Sequence, residues 1–293
     1  MPEPRSPVEL PLIHRARGFR LYDASGRRYL DLHREGALLG HRFGLTVMKS
    51  VLSQGLAAGL PNAWEERLAA RIRRMIPSHP VVRLYASADG ALAAACRWLG
   101  ARLAWEELPD PALGTAGLSD AGRGGPGGGP GGETAAEAPA ALWRPFLTAP
   151  RARVLLPVLP LSVAGCPAAA CFPAGAEREA PRSEALPGFL CAAAQRACAA
   201  LVNPAGPDGN EPAFATDPAV EQAIDGAPLS WARRGPYVRA VFPPAEYPRV
   251  HAAFLRRGVL LNPGYPGPSV LPGECSPGES KLLAELFAGT PGG

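Results

Sequence analysis

The fold is decided by a stretch that opens with GFRLYDASGRRYLD (residues 18–31) and extends to Ala101. The opening run alternates apolar and polar residues on both sides of Asp23–Gly26. This alternation around a short polar turn is typical of a β-hairpin. The sequence therefore predicts two paired strands at the start of the ordered chain.

Three helices and a strand are predicted after the hairpin. The first helix carries apolar residues at helical spacing, which are Leu45, Met48, Leu52 and Leu56. A second helix begins at Glu65, and VVRLYA (residues 81–86) predicts a strand. SADGA (residues 87–91) then leads from this strand into a third, alanine-rich helix. A helix N-terminus at this place exposes backbone N–H groups that have no partner within the helix.

This order of signals resembles the N-terminal third of class III aminotransferases, which are pyridoxal-phosphate (PLP) enzymes of fold type I. The resemblance is strongest to the glutamate-1-semialdehyde aminomutase subgroup. The run GVLLNP (residues 258–263), followed by a closing helix at 278–287, is similar to the C-terminal small domain of the same family. The resemblance implies an α/β, fold type I PLP-transferase-like protein. It would have a reduced large domain with a mixed sheet and an α+β small domain built from both chain ends.

The resemblance also implies a division of the chain into three segments. Residues 1–80 contain an arm, the hairpin and helices, which correspond to the small-domain and dimer segment of the family. Residues 81–210 correspond to a reduced large domain, and residues 211–293 to the C-terminal small domain. Inside the second segment, residues 109–141 are rich in Gly and Pro and nearly free of large apolar residues. They cannot bury enough surface to offset the entropy of ordering, so a disordered loop is predicted there.

Further elements are predicted from apolar runs and helical spacing. They are a strand at 153–163, a helix at 188–202, a strand at 237–242, a helix at 247–257 and a short strand at 258–261. Ser276 and Glu279 have the spacing of a capping box at the start of the closing helix.

The resemblance places the phosphate-binding turn of PLP at Ser87, Ala88 and Asp89. A helix N-terminus favours an anion, and Ser87 fits either as a phosphate ligand or as an N-cap. Ala88 replaces the glycine that lets the backbone approach the phosphate closely. Asp89 brings a carboxylate to a position where a hydroxyl would donate. The turn is therefore interpreted as a degraded phosphate site, with helix capping as the alternative role.

The family holds PLP as a Schiff base on a lysine, and this chain has only Lys49 and Lys281. Neither lies where the family places its lysine. After the helix at 188–202 the family has a strand whose Asp holds the pyridinium nitrogen, whereas this chain has NPAGPDGN (residues 203–210). We therefore predict no catalytic residue, and the PLP implied by the resemblance is not expected to bind well.

Composition limits the remaining function classes. The net charge of +4 comes from 30 basic and 26 acidic residues without a run of like charge, which argues against a nucleic-acid surface. The six cysteines contain no CxxC pair, and no histidine has a metal-ligand partner at helical spacing, so no metal site is predicted. Prolines interrupt the apolar run 154–172, which excludes a membrane helix there. We expect a cytoplasmic protein, because no signal segment opens the chain. His41 is expected to be a half-buried structural residue.

Three functional hypotheses remain. The first is a class III aminotransferase-like pseudoenzyme, truncated and degenerate, that acts as a binding or partner subunit, in a homodimer or in a heterodimer with an active paralogue. The second is an active PLP-dependent aminotransferase or aminomutase of the glutamate-1-semialdehyde type, which borrows a lysine from another chain or uses Lys281. The third is a decayed gene product without a stable fold.

Overall fold

The computed structural model describes residues 10–33, 35–114, 137–161, 163, 165–201, 216–227 and 230–289. The strands are β1 Ile13–Arg17, β2 Arg20–Asp23, β3 Arg28–Asp31, β4 Val81–Tyr85, β5 Ala138–Trp143, β6 Ala152–Pro157, β7 Ala168–Phe172, β8 Trp231–Arg234, β9 Tyr237–Ala240, β10 Val259–Leu260 and β11 Ser269–Val270. The α-helices are α1 Leu45–Leu52, α2 Ala63–Met75, α3 Ala88–Leu99, α4 Gly188–Leu201, α5 Pro218–Asp225, α6 Tyr247–Arg256 and α7 Pro277–Ala288. Within this part of the chain, every helix is too short or too polar to span a membrane.

The chain divides into two compact units. The terminal unit comprises the described residues of Met1–Leu45, Pro160–Val163 and Pro204–Gly293, and the central unit those of Thr46–Leu159 and Ala164–Asn203. The prediction of a small domain built from both chain ends is therefore confirmed. The sequence boundaries at residues 80 and 210 differ from this division, which falls after residues 45 and 203.

Two small sheets form the frame of the terminal unit. The first has the order β1-β2-β3-β10, in which β10 is parallel to β3 and the other pairs are antiparallel. The second is the antiparallel sheet β11-β9-β8. The predicted hairpin is β2 and β3, and its turn is closed by the Asp23 carboxylate, which accepts the N–H groups of Ser25 and Arg27. Gly26 has φ +83°, a left-handed conformation that glycine adopts without strain.

An aromatic cluster fills the core of the terminal unit. Trp231 lies at its centre, with ring centroids 5.1 Å from Phe287, 5.4 Å from Phe242 and 5.6 Å from Phe254. The Trp231 ring meets Phe242 and Phe287 edge to face and is tilted relative to Phe254. The rings belong to β8, the segment after β9, α6 and α7, so their packing joins these parts of the unit. Edge-to-face aromatic pairs contribute about 0.5–1.5 kcal/mol beyond the area that they bury.

A mixed four-stranded sheet forms the frame of the central unit. Its order is β4-β7-β6-β5, with β5 parallel to β6 and with β7 antiparallel to both of its neighbours. Since β7 is antiparallel to both β4 and β6, β4 runs parallel to β6 and to β5. The α/β class with a mixed sheet is as predicted. The alanine-rich face of α3 packs on β4 and β7, where Ala91, Ala94 and Ala95 are buried.

Some predicted boundaries were wrong. The predicted strand at 153–163 is the shorter β6, which ends at Pro157, where the proline has no N–H to continue the ladder. The first helix ends at Leu52, so Leu56 lies beyond it, and Val51 rather than Leu52 is buried. Within the loop predicted at 109–141, residues 115–136 lie outside the described part of the chain.

The two ends of that loop are ordered, contrary to the prediction. Ala138–Trp143 forms β5, which pairs with β6 from Ala138 to Trp143. Asp110 lies beside this strand's end, where its carboxylate binds Arg144. The sequence did not show this order because β5 is short and alanine-rich, with few large apolar residues.

Candidate functional site

The turn between β4 and α3 is the position that the sequence identified as a phosphate cradle. Ser87 is the N-cap of α3, with φ −147° and ψ 160°, and its Oγ accepts the N–H of Gly90 at 3.0 Å. This is the capping role that the sequence left open beside phosphate binding. One of the backbone donors of the helix end is thereby satisfied within the protein.

The Asp89 side chain contacts the segment that follows α3. Its Oδ1 accepts the indole N–H of Trp105 at 2.8 Å. Ala88 opens the helix, and both Ala88 and Asp89 are exposed. The three predicted site residues are therefore together at the surface of the central unit, but only Ser87 directs its polar group at the helix N-terminus.

A carboxylate that the sequence analysis did not identify lies in front of this turn. Glu184 Oε2 accepts the N–H of Ala86 at 2.7 Å. Its Oε1 lies 3.6 Å from the place where a Cβ on Gly90 would stand. The helix end thus already faces an anion from its own chain, in the position where the dipole favours negative charge.

The backbone around Glu184 fixes that carboxylate in place. The N–H of Glu184 donates to the carbonyl of Leu84 at 2.9 Å. The N–H of Leu84 donates to Ser183 Oγ at 3.0 Å. Residues 183 and 184 therefore run along the end of β4 and hold the acidic side chain beside the turn. No local motif marks Glu184 in the sequence, because its partners lie about a hundred residues earlier in the chain.

The residues at this turn do not fit the phosphate of PLP. Two backbone donors, from Ala86 and Gly90, are already used by Glu184 and Ser87. A phosphate dianion at this helix end would also lie close to the Glu184 carboxylate and near that of Asp89. Like charges 4 Å apart repel by about 1 kcal/mol in water and by more where water is excluded.

Both lysines of the chain lie on helix surfaces. Lys49 belongs to the last turn of α1 and Lys281 to α7, and both side chains are exposed. A lysine that forms a stable Schiff base is usually held in a desolvated pocket, where burial lowers its pKa. Neither side chain has such an environment here.

Two other sequence-predicted features have structural roles in the terminal unit. His41 Nε2 lies 2.8 Å from Asp31 Oδ2, and the His41 side chain is 15% exposed, as expected for a half-buried structural histidine. The capping box is present: Ser276 Oγ accepts the N–H of Glu279, and Glu279 Oε2 accepts the N–H of Ser276 at 2.9 Å. The sequence did not predict that Glu279 also binds Arg20.

The cysteines are thiols in apolar surroundings. All six are free, and Cys171, Cys191 and Cys198 are buried. Burial raises the pKa of Cys191 and of Cys198 to about 12, so both remain protonated at neutral pH. In the described residues, no three His, Cys, Asp or Glu side chains come close enough to share a metal ion.

Comparisons with known proteins find relatives over part of the sequence and solved structures with the same fold. No protein-family model matches the chain. Glutamate-1-semialdehyde 2,1-aminomutase of Sorangium cellulosum is 35% identical over 89 residues, which are 29% of this chain and 20% of that protein. The aminomutase of Acetivibrio thermocellus is 32% identical over 91 residues, which are 30% of this chain and 21% of that protein. The matched region thus spans about one fifth of the length of these relatives.

Solved transaminase structures share the fold. An omega-transaminase from Sphaerobacter thermophilus superposes with a TM-score of 0.63 at 16% identity, covering 95% of this chain and 90% of that chain. The N-acetylornithine aminotransferase of Stenotrophomonas maltophilia gives a TM-score of 0.57 at 13% identity, covering 98% of this chain and 95% of that chain. The chain is thus similar over part of its sequence to two glutamate-1-semialdehyde aminomutases, and it shares the fold of solved transaminases.

Proposed function

We propose that this class III aminotransferase-like chain has no transaminase activity and acts as a binding or partner subunit. The observation that carries the proposal is the Glu184 carboxylate on the turn before α3, at 2.7 Å from the N–H of Ala86. An anion of the protein itself stands at the turn where the family resemblance places the cofactor phosphate. The exposed positions of Lys49 and Lys281 support the same conclusion, because an imine requires a primary amine and arginine cannot replace it.

The proposal has a direct spectroscopic test. The purified protein is incubated with PLP, dialysed, and examined for the absorbance of a lysine-bound cofactor, then treated with borohydride and mapped by mass spectrometry. We expect no band that survives dialysis, and only weak labelling shared between the two lysines. Stoichiometric labelling of either lysine, abolished in the matching variant Lys49→Met or Lys281→Met, would overturn the proposal.

A second candidate is an active PLP-dependent aminotransferase or aminomutase. The partial match to two glutamate-1-semialdehyde aminomutases favours it. Such an enzyme would need a lysine from another chain or a rearrangement that brings Lys281 to the turn. A panel of amino donors separates the candidates: conversion of bound PLP to its pyridoxamine form supports the enzyme, and no conversion with any donor supports the partner subunit.

The proposal also includes a cytoplasmic dimer. In the family that this chain resembles, the parts that correspond to its two ends assemble the small domain and form most of the dimer contacts, and a paralogue with an intact site would be a suitable partner. Light scattering on the purified chain, alone and mixed with such a paralogue, distinguishes a homodimer from a heterodimer. A monomer in both samples would contradict the partner role.

A further inference from the structure

A cavity of about 780 Å³ opens in the central unit, at the end of the sheet where β4, β5 and β6 begin. Because β4 runs from Val81 to Tyr85 and the Ser87 turn follows its end, this cavity lies at the opposite end of the strand from the degraded phosphate site. It is therefore a separate feature of the same unit. Its wall combines cationic side chains with apolar ones from Ala149, Pro150 and Pro173.

A stack of three side chains positions one guanidinium at this cavity. Phe172 is fully buried in the core, and the Trp98 ring meets it edge to face with centroids 5.4 Å apart. The guanidinium carbon of Arg153 lies 5.1 Å from the centroid of the Trp98 ring. A guanidinium stacked on an aromatic face loses freedom to rotate, while its in-plane N–H donors stay available to a ligand.

A second arginine lines the same cavity. Arg151 lies two residues before Arg153, just ahead of β6, and the side chains of both residues belong to the cavity wall. Both are exposed, and no carboxylate of the described residues forms an ion pair with either one. Glu137 also lines the cavity, so the wall carries two positive charges and one negative charge.

A hydrogen-bonded histidine makes the floor of the cavity rigid. His79 is 8% exposed, and its Nε2 lies 2.9 Å from the carbonyl oxygen of Ala152, while Nδ1 lies 3.0 Å from Ser78 Oγ. Because a carbonyl can only accept, Nε2 carries a proton and donates it to Ala152. The ring thus joins the segment before β4 to the first residue of β6, next to Arg153.

We propose that this cavity, which we call the arginine pocket, binds a small organic anion. Its phosphate or carboxylate group would bind the forked N–H groups of Arg151 and Arg153, and its apolar body would lie against Ala149, Pro150 and Pro173. Planar guanidinium groups recognise both kinds of oxyanion through paired hydrogen bonds. This inference goes beyond the proposed partner role and does not depend on the loss of transaminase chemistry.

Titration calorimetry with four probes tests the arginine pocket. Phenyl phosphate should bind most tightly, benzoate more weakly because it carries one charge, and inorganic phosphate more weakly than phenyl phosphate because it lacks the apolar body. Benzyl alcohol, which has the ring and no charge, should not bind. Equal affinity for phenyl phosphate and inorganic phosphate, or for phenyl phosphate and benzyl alcohol, would overturn the proposal.

Variants locate the binding. Arg153→Met should lower the affinity for phenyl phosphate by roughly 10-fold or more, because it removes hydrogen bonds from a charged donor. Arg153→Lys keeps the charge without the fork and should lose part of the affinity. The matched control is Arg67→Met, since Arg67 is also stacked on a tryptophan, at 4.6 Å from the Trp64 ring, but lies outside the cavity. An equal loss in Arg67→Met, or none in Arg153→Met, would contradict the assignment; the thermal unfolding of each ligand-free variant confirms that it is folded.

Discussion

Arg20 and Glu279 form a two-pronged ion pair that joins the second strand of the chain to its last helix. Arg20 Nε donates to Oε1 at 2.7 Å and Nη2 to Oε2 at 2.5 Å. The Glu279 side chain is only 4% exposed, and that of Arg20 is 21% exposed. Since Glu279 also completes the capping box of α7, one carboxylate ties the helix end to the hairpin within the terminal unit.

Removal of Arg20 should therefore destabilise the terminal unit strongly. In Arg20→Met, the Glu279 carboxylate stays buried without its cationic partner, and we expect the free energy of unfolding in urea to fall by roughly 2–4 kcal/mol. Arg257→Met is the matched control, because its pair with Glu285 has side chains 54% and 50% exposed and should contribute less than about 1 kcal/mol. Equal losses of unfolding free energy in the two variants would show that the buried pair stabilises the protein no more than the exposed pair does.

The same carboxylate should give the protein an acid-dependent stability. Burial alone raises the pKa of Glu279, but hydrogen bonds from Arg20 and Ser276 outweigh burial and lower it to about 2, from an ordinary value of 4.5. Because the folded pKa lies below the unfolded one, the stabilisation is complete above about pH 4.5 and is lost as the pH falls toward 2. Urea unfolding at several pH values should show that the difference in free energy of unfolding between the wild type and Glu279→Gln becomes smaller as the pH falls through this range. A difference that does not change with pH would contradict the assignment.

A buried ion pair in the central unit permits a third prediction. Asp110 accepts from Arg144 Nε at 2.8 Å and Nη2 at 2.7 Å, and both side chains are buried. Asp110→Asn keeps the shape but removes the buried negative charge that faces Arg144 Nε and Nη2, so thermal unfolding should show that the free energy of unfolding falls by about 3–5 kcal/mol. Glu107→Gln, an exposed change three residues away, should be close to neutral. If Asp110→Asn has the same free energy of unfolding as the wild type, the ion pair does not stabilise this segment. The disorder predicted from the sequence would then describe the segment better.

The features that the sequence predicted well are set by neighbouring residues. The Asp23–Gly26 turn, the Ser87 cap and the Ser276–Glu279 capping box each depend on side chains within three or four positions of one another. Local hydrogen bonding of this kind has a fixed spacing that sequence patterns record. The fold class followed from the family resemblance that the order of such signals carries.

The features that the sequence did not predict depend on residues far apart. Arg20 and Glu279 are separated by 259 positions, and Glu184 is 98 positions from Ala86. A single sequence contains no local pattern that links such distant partners, so the position of Glu184 beside the turn could not be predicted.

Glu184 should keep phosphate away from the α3 N-terminus, and its replacement tests this directly. Glu184→Gln retains an oxygen that can accept from Ala86 but removes the charge, so inorganic phosphate should gain about fivefold in affinity, which corresponds to roughly 1 kcal/mol of repulsion relieved. The amide resonance of Gly90 in a phosphate titration reports on this turn alone, because the arginine pocket lies at the other end of β4. Glu179→Gln, an exposed change in the same segment, is the control and should behave as the wild type. If the wild type and Glu184→Gln bind phosphate equally at Gly90, the carboxylate does not block the turn, and the main support for an inactive phosphate site is lost.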